Sequence, residues 1–182
     1  MKTLLQTISR LVNLVHGNFI GAILVFAGMA SAQTTQHIFT IEHSTNSNKI
    51  CYEARITADG AIDQRRPVHG YWVLLARDST GKTREELNLL EKNMAFGLKT
   101  KRDAKKKIFT MTLAAYPKRA ITLFMEKGKA VAQAVINGRI SYLEKIYISS
   151  IETKPLPKVN YIELFGVDGA TGERQYEKIT PK

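Results

Sequence analysis

The sequence predicts a mainly β protein: an antiparallel meander forming a barrel or sandwich of about nine or ten strands, with one α-helix from Arg84 to Phe96. Three observations carry that expectation. Between Lys107 and Ile151 lie four apolar runs, Ile108 to Ala115, Ala120 to Met125, Ala130 to Ile136 and Arg139 to Ile148, the last two joined by Asn137-Gly138. Asn-Gly between apolar runs signals a hairpin, because both residues accept the positive φ of a type I′ turn. Lys127-Gly128 marks a similar reversal one strand earlier, and Tyr116-Pro117-Lys118-Arg119 another. The second observation is period-two alternation: Ile50, Tyr52, Ala54 and Ile56 interleave with Lys49, Cys51, Glu53 and Arg55, the pattern of a strand with one buried face. The third is helix grammar in a single stretch. Thr83 and Glu86 read as a capping box, Leu87, Leu90 and Met94 recur at helical spacing, and Gly97 stands where a C-terminal glycine ends a helix.

Taken in order, Met1 to Ala32 is expected to be a signal peptide and not part of the fold. Lys2 and Arg10 carry its only formal charges, Phe19 to Met29 is an apolar run, and Ala30-Ser31-Ala32 is a small-residue cleavage site. The run is shorter than the roughly 20 apolar residues that cross a bilayer, so no transmembrane segment is expected after cleavage near Ala32. Residue Gln33 is not the cysteine of a bacterial lipoprotein. The mature chain, 33–182, is one antiparallel β domain of common size.

Its first strand is His37 to His43, with Phe39 and Ile41 on one face, and Ser44 to Asn48 turns the chain into Lys49 to Ile56. After Asp59-Gly60 and a polar loop, Gly70 to Ala76 is continuously apolar, which predicts a strand covered on both faces, one of them by the helix. Trp72 and Tyr71 are then core or cavity residues. Leu98 to Arg102 pairs with the strand starting at Lys107, placing Arg102 opposite Lys107. Beyond the meander, Thr153 to Pro157 is a connection, Val159 to Asp168 a strand, and Asp168 to Gly172 a turn into Arg174 to Ile179.

Chemistry is sparse. The chain has one cysteine, which rules out an intramolecular disulfide, and Cys51 falls on the polar face of its strand. No phosphate-binding glycine loop, zinc pattern or nucleophile elbow occurs, so neither cofactor nor metal is implied. Charge is the informative quantity. The formal charge is +11, and removal of Lys2 and Arg10 leaves +9. Ten bases stand against Asp103 and Glu126 between Lys99 and Lys129. Within that stretch Lys99, Lys101, Arg102, Lys105, Lys106 and Lys107 are the expected anion-binding residues, with anionic lipid, lipopolysaccharide or acidic polysaccharide as partner. No aromatic residue interleaves with Lys99 to Lys107, so nucleic acid is not expected.

The reading of the residues is an exported, periplasmic or extracellular, non-enzymatic binding module for a small or anionic ligand. The first alternative is a hydrolase whose site is assembled from dispersed residues, with His43, Glu163 and Tyr161 as candidates. The second is a structural or interaction component of the cell envelope. Several blocks also carry a resemblance: Asn46-Ser47-Asn48-Lys49-Ile50-Cys51-Tyr52, Pro67-Val68 followed by Tyr71-Trp72, Ala95-Phe96-Gly97, and Lys158-Val159-Asn160-Tyr161-Ile162-Glu163-Leu164-Phe165-Gly166 with Thr171-Gly172. The chain resembles the domain of unknown function family numbered 4833. That resemblance implies an exported bacterial protein with a single domain, and it brings no catalytic residue or cofactor.

Overall fold

A computed structural model describes residues 33–151, 153 and 158–180, without the side chains of residues 94 and 95. The expected signal peptide and cleavage site, and most of the Thr153 to Pro157 connection, lie outside the described residues. The rest is one eleven-stranded sheet that curls into a half-barrel. Its strands are β1 (Thr34–His43), β2 (Lys49–Ile56), β3 (Val68–Val73), β4 (Arg84–Glu86), β5 (Leu98–Asp103), β6 (Ile108–Leu113), β7 (Tyr116–Glu126), β8 (Lys129–Ile136), β9 (Arg139–Ile151), β10 (Lys158–Asp168) and β11 (Arg174–Ile179).

The sheet is built around β9, which has thirteen residues and neighbours on both edges. One edge pairs with β10. The other edge is shared: Arg139 to Tyr142 pair antiparallel with β8, and Lys145 to Ile148 pair parallel with β1. The sheet therefore forks. One wing runs β8-β7-β6-β5 and the other β1-β2-β3-β4. Where the wings part, the Ala130 amide donates to Gln36 Oε1 at 2.7 Å, so a side chain replaces the missing ladder partner. The apolar faces of both wings enclose the core. Phe39, Ile41, Ile50, Met111, Leu123 and Ile136 are fully buried there, with the Phe39 and Tyr52 rings stacked at 4.7 Å between centroids.

The hairpins follow the glycine signals. Asn137 and Gly138 have φ of 49° and 78°, and Lys127 and Gly128 have 49° and 80°, the positive pairs of a type I′ turn. The reversal expected at Tyr116-Pro117-Lys118-Arg119 instead falls before it: residues 116–119 already belong to β7, and Leu113 pairs with Tyr116. Arg102 does not face Lys107. It pairs with Phe109, and Asp103 with Ile108, because Asp103 Oδ1 accepts the Lys105 and Lys106 amides at 3.0 and 3.1 Å. That bonding holds residues 104–107 in a longer turn and keeps like charges from standing opposite.

The helix Arg84 to Phe96 does not form. Its intended cap is occupied elsewhere, since the Thr83 amide and hydroxyl both bond Asp78 Oδ2 at 3.1 Å, and Arg84 to Glu86 join β3 as a short strand. Of the expected stripe Leu87 is buried, but Leu90 is 59% exposed; the two do not share a buried face. A reciprocal cap does exist, a few residues after the expected one: the Asn88 amide donates to Glu91 Oε2 and the Glu91 amide to Asn88 Oδ1, at 2.8 and 2.9 Å. It opens a single π turn, Glu91–Ala95, ended where the Phe96 amide bonds the Glu91 carbonyl. Gly97 follows in contact with the Lys92 carbonyl, where no Cβ would fit. The strand expected over Gly70 to Ala76 ends at Val73, because the Leu74 carbonyl accepts the Arg77 and Asp78 amides and turns the chain.

Candidate functional site: a basic seam

The half-barrel leaves a seam. Among the described residues β5 pairs only with β6, and its other edge faces the segment that links β2 to β3. Two grooves follow one another there. The first, about 600 Å³, lies between Asp59, Gly60, Ile62 and Gln64 on one wall and Arg102, Lys106 and Lys107 on the other. Its apolar floor includes Phe109, Phe124 and Met125. The second, about 580 Å³, lies between Arg65, Arg66 and His69 on one side and Lys92, Leu98 and Thr100 on the other, with Arg55 also on its lining. Leu98, Thr100 and Arg102 alternate along β5 and so share one face. The two grooves are consecutive on both walls.

Both walls are held by the same device. Asp63 Oδ1 accepts the Arg65 and Arg66 amides at 2.8 and 3.1 Å, as Asp103 does for Lys105 and Lys106. In each case an aspartate bonds the backbone two and three residues on, fixing the turn that displays a basic pair. The Arg65 and Arg66 amides hold the Asp63 carboxyl below its ordinary range, more than burial raises it. The turn is therefore anchored by a carboxylate charged throughout the neutral range.

Six cations of the seam are not engaged in ion pairs. Among the described residues no carboxylate lies within 4.0 Å of Arg55, Arg65, Arg66, Arg102, Lys106 or Lys107. Glu86 is the exception to the basic lining of the second groove. It accepts from His69 Nε2 at 2.6 Å and lies 3.8 Å from Lys92 Nζ.

Of the six expected anion-binding residues, Arg102, Lys106 and Lys107 line the first groove. Lys99 and Lys101 lie on the opposite face of β5, and Lys105 is exposed in the turn outside the groove lining. Arg119, at the far end of the meander, is paired with Glu177. Arg55, Arg65, Arg66 and Lys92 were not expected. The signal for two of them was in the chain: Asp63-Gln64-Arg65-Arg66 has the same aspartate-to-base spacing as Asp103-Ala104-Lys105-Lys106.

His43, Glu163 and Tyr161 are not brought together. Glu163 shares a row with Tyr147 and Glu42, whereas His43 shares the next row with Ile148 and Ile162. Successive rows face opposite sides of a sheet, so His43 points inward and the other two outward. His43 packs edge-on to Trp72 at 5.4 Å, and burial lowers its pKa. Its Nδ1 meets the Thr45 hydroxyl at 2.5 Å, and its buried Nε2 has no partner among the described residues. Glu163 accepts from the Tyr176 hydroxyl at 2.8 Å, and Lys178 Nζ sits 3.6 Å over the Tyr161 ring. Cys51 lies on the outer face opposite Tyr71, its thiol pushed up by burial, the reverse of a thiolate nucleophile. Tyr71 donates to Glu53 at 2.6 Å there, and Arg84 lies over its ring.

No curated protein and no solved structure matches the chain. The family described as Domain of unknown function (DUF4833) matches residues 39–178, from β1 into β11. That span takes in every strand and both walls of the seam, and the chain belongs to that family.

Proposed function

We propose that the protein is an exported, non-enzymatic binding module that takes an anionic ligand into the seam between β5 and the β2–β3 connection. The observation that carries the proposal is the set of cations without an ion-pair partner along two consecutive grooves, Arg102, Lys106 and Lys107 in the first and Arg55, Arg65 and Arg66 in the second. Asp59 and Glu86 on the lining offset only part of this charge, and the excess of like charge favours whatever neutralises it. Apolar lining from Ile62, Phe124 and Met125 adds contact area for the uncharged part of a ligand.

The test is retention on a sulfated polysaccharide matrix at low ionic strength. Arg102→Glu with Lys106→Glu and Lys107→Glu is expected to abolish retention, while Lys99→Glu with Lys101→Glu and Lys105→Glu, the same change in charge outside the groove, is expected to keep most of it. Unchanged far-UV circular dichroism shows that both variants fold. Equal loss in the two triple variants would make retention a matter of net charge and discard the seam. Export is tested separately: mass-spectrometric sequencing of the mature protein from its host should begin at Gln33, and a chain still beginning at Met1 would overturn it.

A further inference from the structure

We infer that the ligand of the seam is a linear acidic polysaccharide that lies along both grooves, and not a compact anion held in one of them; the inference rests on the anion-binding reading above. The argument is one of span. Leu98 and Thr100 line the second groove and Arg102 the first, so four residues of extended β5 separate the two ends of this wall, about 13 Å at roughly 3.3 Å per residue. The opposite wall repeats the order, with 59–64 in the first groove and 65–70 in the second. A phosphate or sulfate reaches the cations of one groove only. A chain with a charge on every sugar or two reaches both, and it leaves no unpaired cation between them.

The form of the site argues against the other anionic surfaces. Arg65, Arg66, Arg102, Lys106 and Lys107 are exposed along two concave grooves, so a flat bilayer would touch them but leave the grooves between them unfilled. Single-stranded nucleic acid binds by stacking successive bases on aromatic side chains, and of the two aromatic residues of the first groove Phe109 is 4% exposed, which leaves Phe124 alone partly open. A sugar chain asks for less, namely cations at intervals and apolar surface for its ring faces.

The experiment measures affinity for full-length heparin, a heparin disaccharide, inorganic phosphate and vesicles of zwitterionic lipid with anionic phospholipid. It compares the wild type with Arg65→Glu/Arg66→Glu and with Lys106→Glu/Lys107→Glu, each checked for folding by circular dichroism. Full-length heparin is expected to weaken about tenfold or more in each variant, and the slope of log affinity against log salt to fall by roughly one for each cation removed. The disaccharide is expected to bind far more weakly than the long chain. If only one pair of substitutions matters, and disaccharide or phosphate binds as tightly as the long chain, the extended ligand is overturned while anion binding stands. Binding to vesicles as tight as to heparin, with the same sensitivity to both variants, overturns it in favour of a membrane. Failure of every anion to bind removes the anion-binding reading itself, and this inference with it.

Discussion

Gly166 shows how a single residue can set the distance between two strands. A Cβ built there would come 2.3 Å from the Tyr142 carbonyl oxygen and 2.8 Å from Ile136 Cδ1, beside the register shift between Phe165 and Gly166. Because the nearer obstacle is backbone of β9, Gly166→Ala must push β10 away from the strand that supports the whole sheet. The expected cost is about 1–3 kcal/mol, in the range of overpacking a filled core, read as a lower urea midpoint with an unchanged m-value. His43 gives a prediction of a different kind. Burial lowers the pKa values of His43 and His37, against a smaller opposing effect of Glu53 on His37. The unfolded chain therefore takes up protons at a pH where the folded chain does not. Stability should be full above the unfolded value of about 6.5 and should fall as pH drops below it. His43→Gln should flatten the decrease in Tm between about pH 7 and about pH 5.5, leaving the share due to His37. A variant that keeps the full slope would remove His43 from the account.

The two glycine hairpins differ at one position, and that difference can be exchanged. Asn137 and Lys127 both have φ of 49°, but asparagine tolerates the left-handed region and lysine bears the steric cost of a Cβ there. Lys127→Asn should stabilise by about 0.5 kcal/mol and Asn137→Lys should destabilise by a similar amount, measured as opposite shifts in the urea midpoint. The side chain of Asn137 is dispensable to the Glu177 bond, because its backbone amide donates that hydrogen bond. These turns were legible because their signal is local: the φ requirement belongs to two adjacent residues. The alternating strands were legible for the same reason, and β2 and β11 have the expected bounds. The helix was misread because its signals were local and its competitor was not. Asp78, five residues before Thr83, took the cap, and the edge of β3 took the next three residues. Half of the seam was readable as a run of lysines and Arg102. In the other half, Asp63-Gln64-Arg65-Arg66 carries the same local signal as Asp103 to Lys106, but nothing local says that it borders β5, and Arg55 joins it only when the sheet curls.

The parallel pairing of β1 with β9 decides the shape of the molecule and leaves no local mark. Thr40 to His43 meet Lys145 to Ile148 across more than a hundred residues of chain, and nothing in either segment distinguishes a parallel neighbour from an antiparallel one. The sheet forks at that pairing, and along the seam the two wings leave open, two sets of like charges lie in consecutive grooves. Electrostatics should therefore work against this fold at low ionic strength. The Debye length falls from about 30 Å at 0.01 M to about 8 Å at 0.15 M salt, so sodium chloride should raise Tm over that interval by screening the seam's cations from one another. Sulfate at matched ionic strength should raise it further, both by occupying the seam and by its general strengthening of burial. Lys106→Gln with Lys107→Gln separates these effects. The double variant should start from a higher Tm at low salt, respond less to sodium chloride, and lose the first groove's share of the sulfate increment. A Tm that falls as sodium chloride is added, in the wild type and the variant alike, would mean that the exposed ion pairs elsewhere on the sheet outweigh the seam, and that its cations are not coupled through their charge.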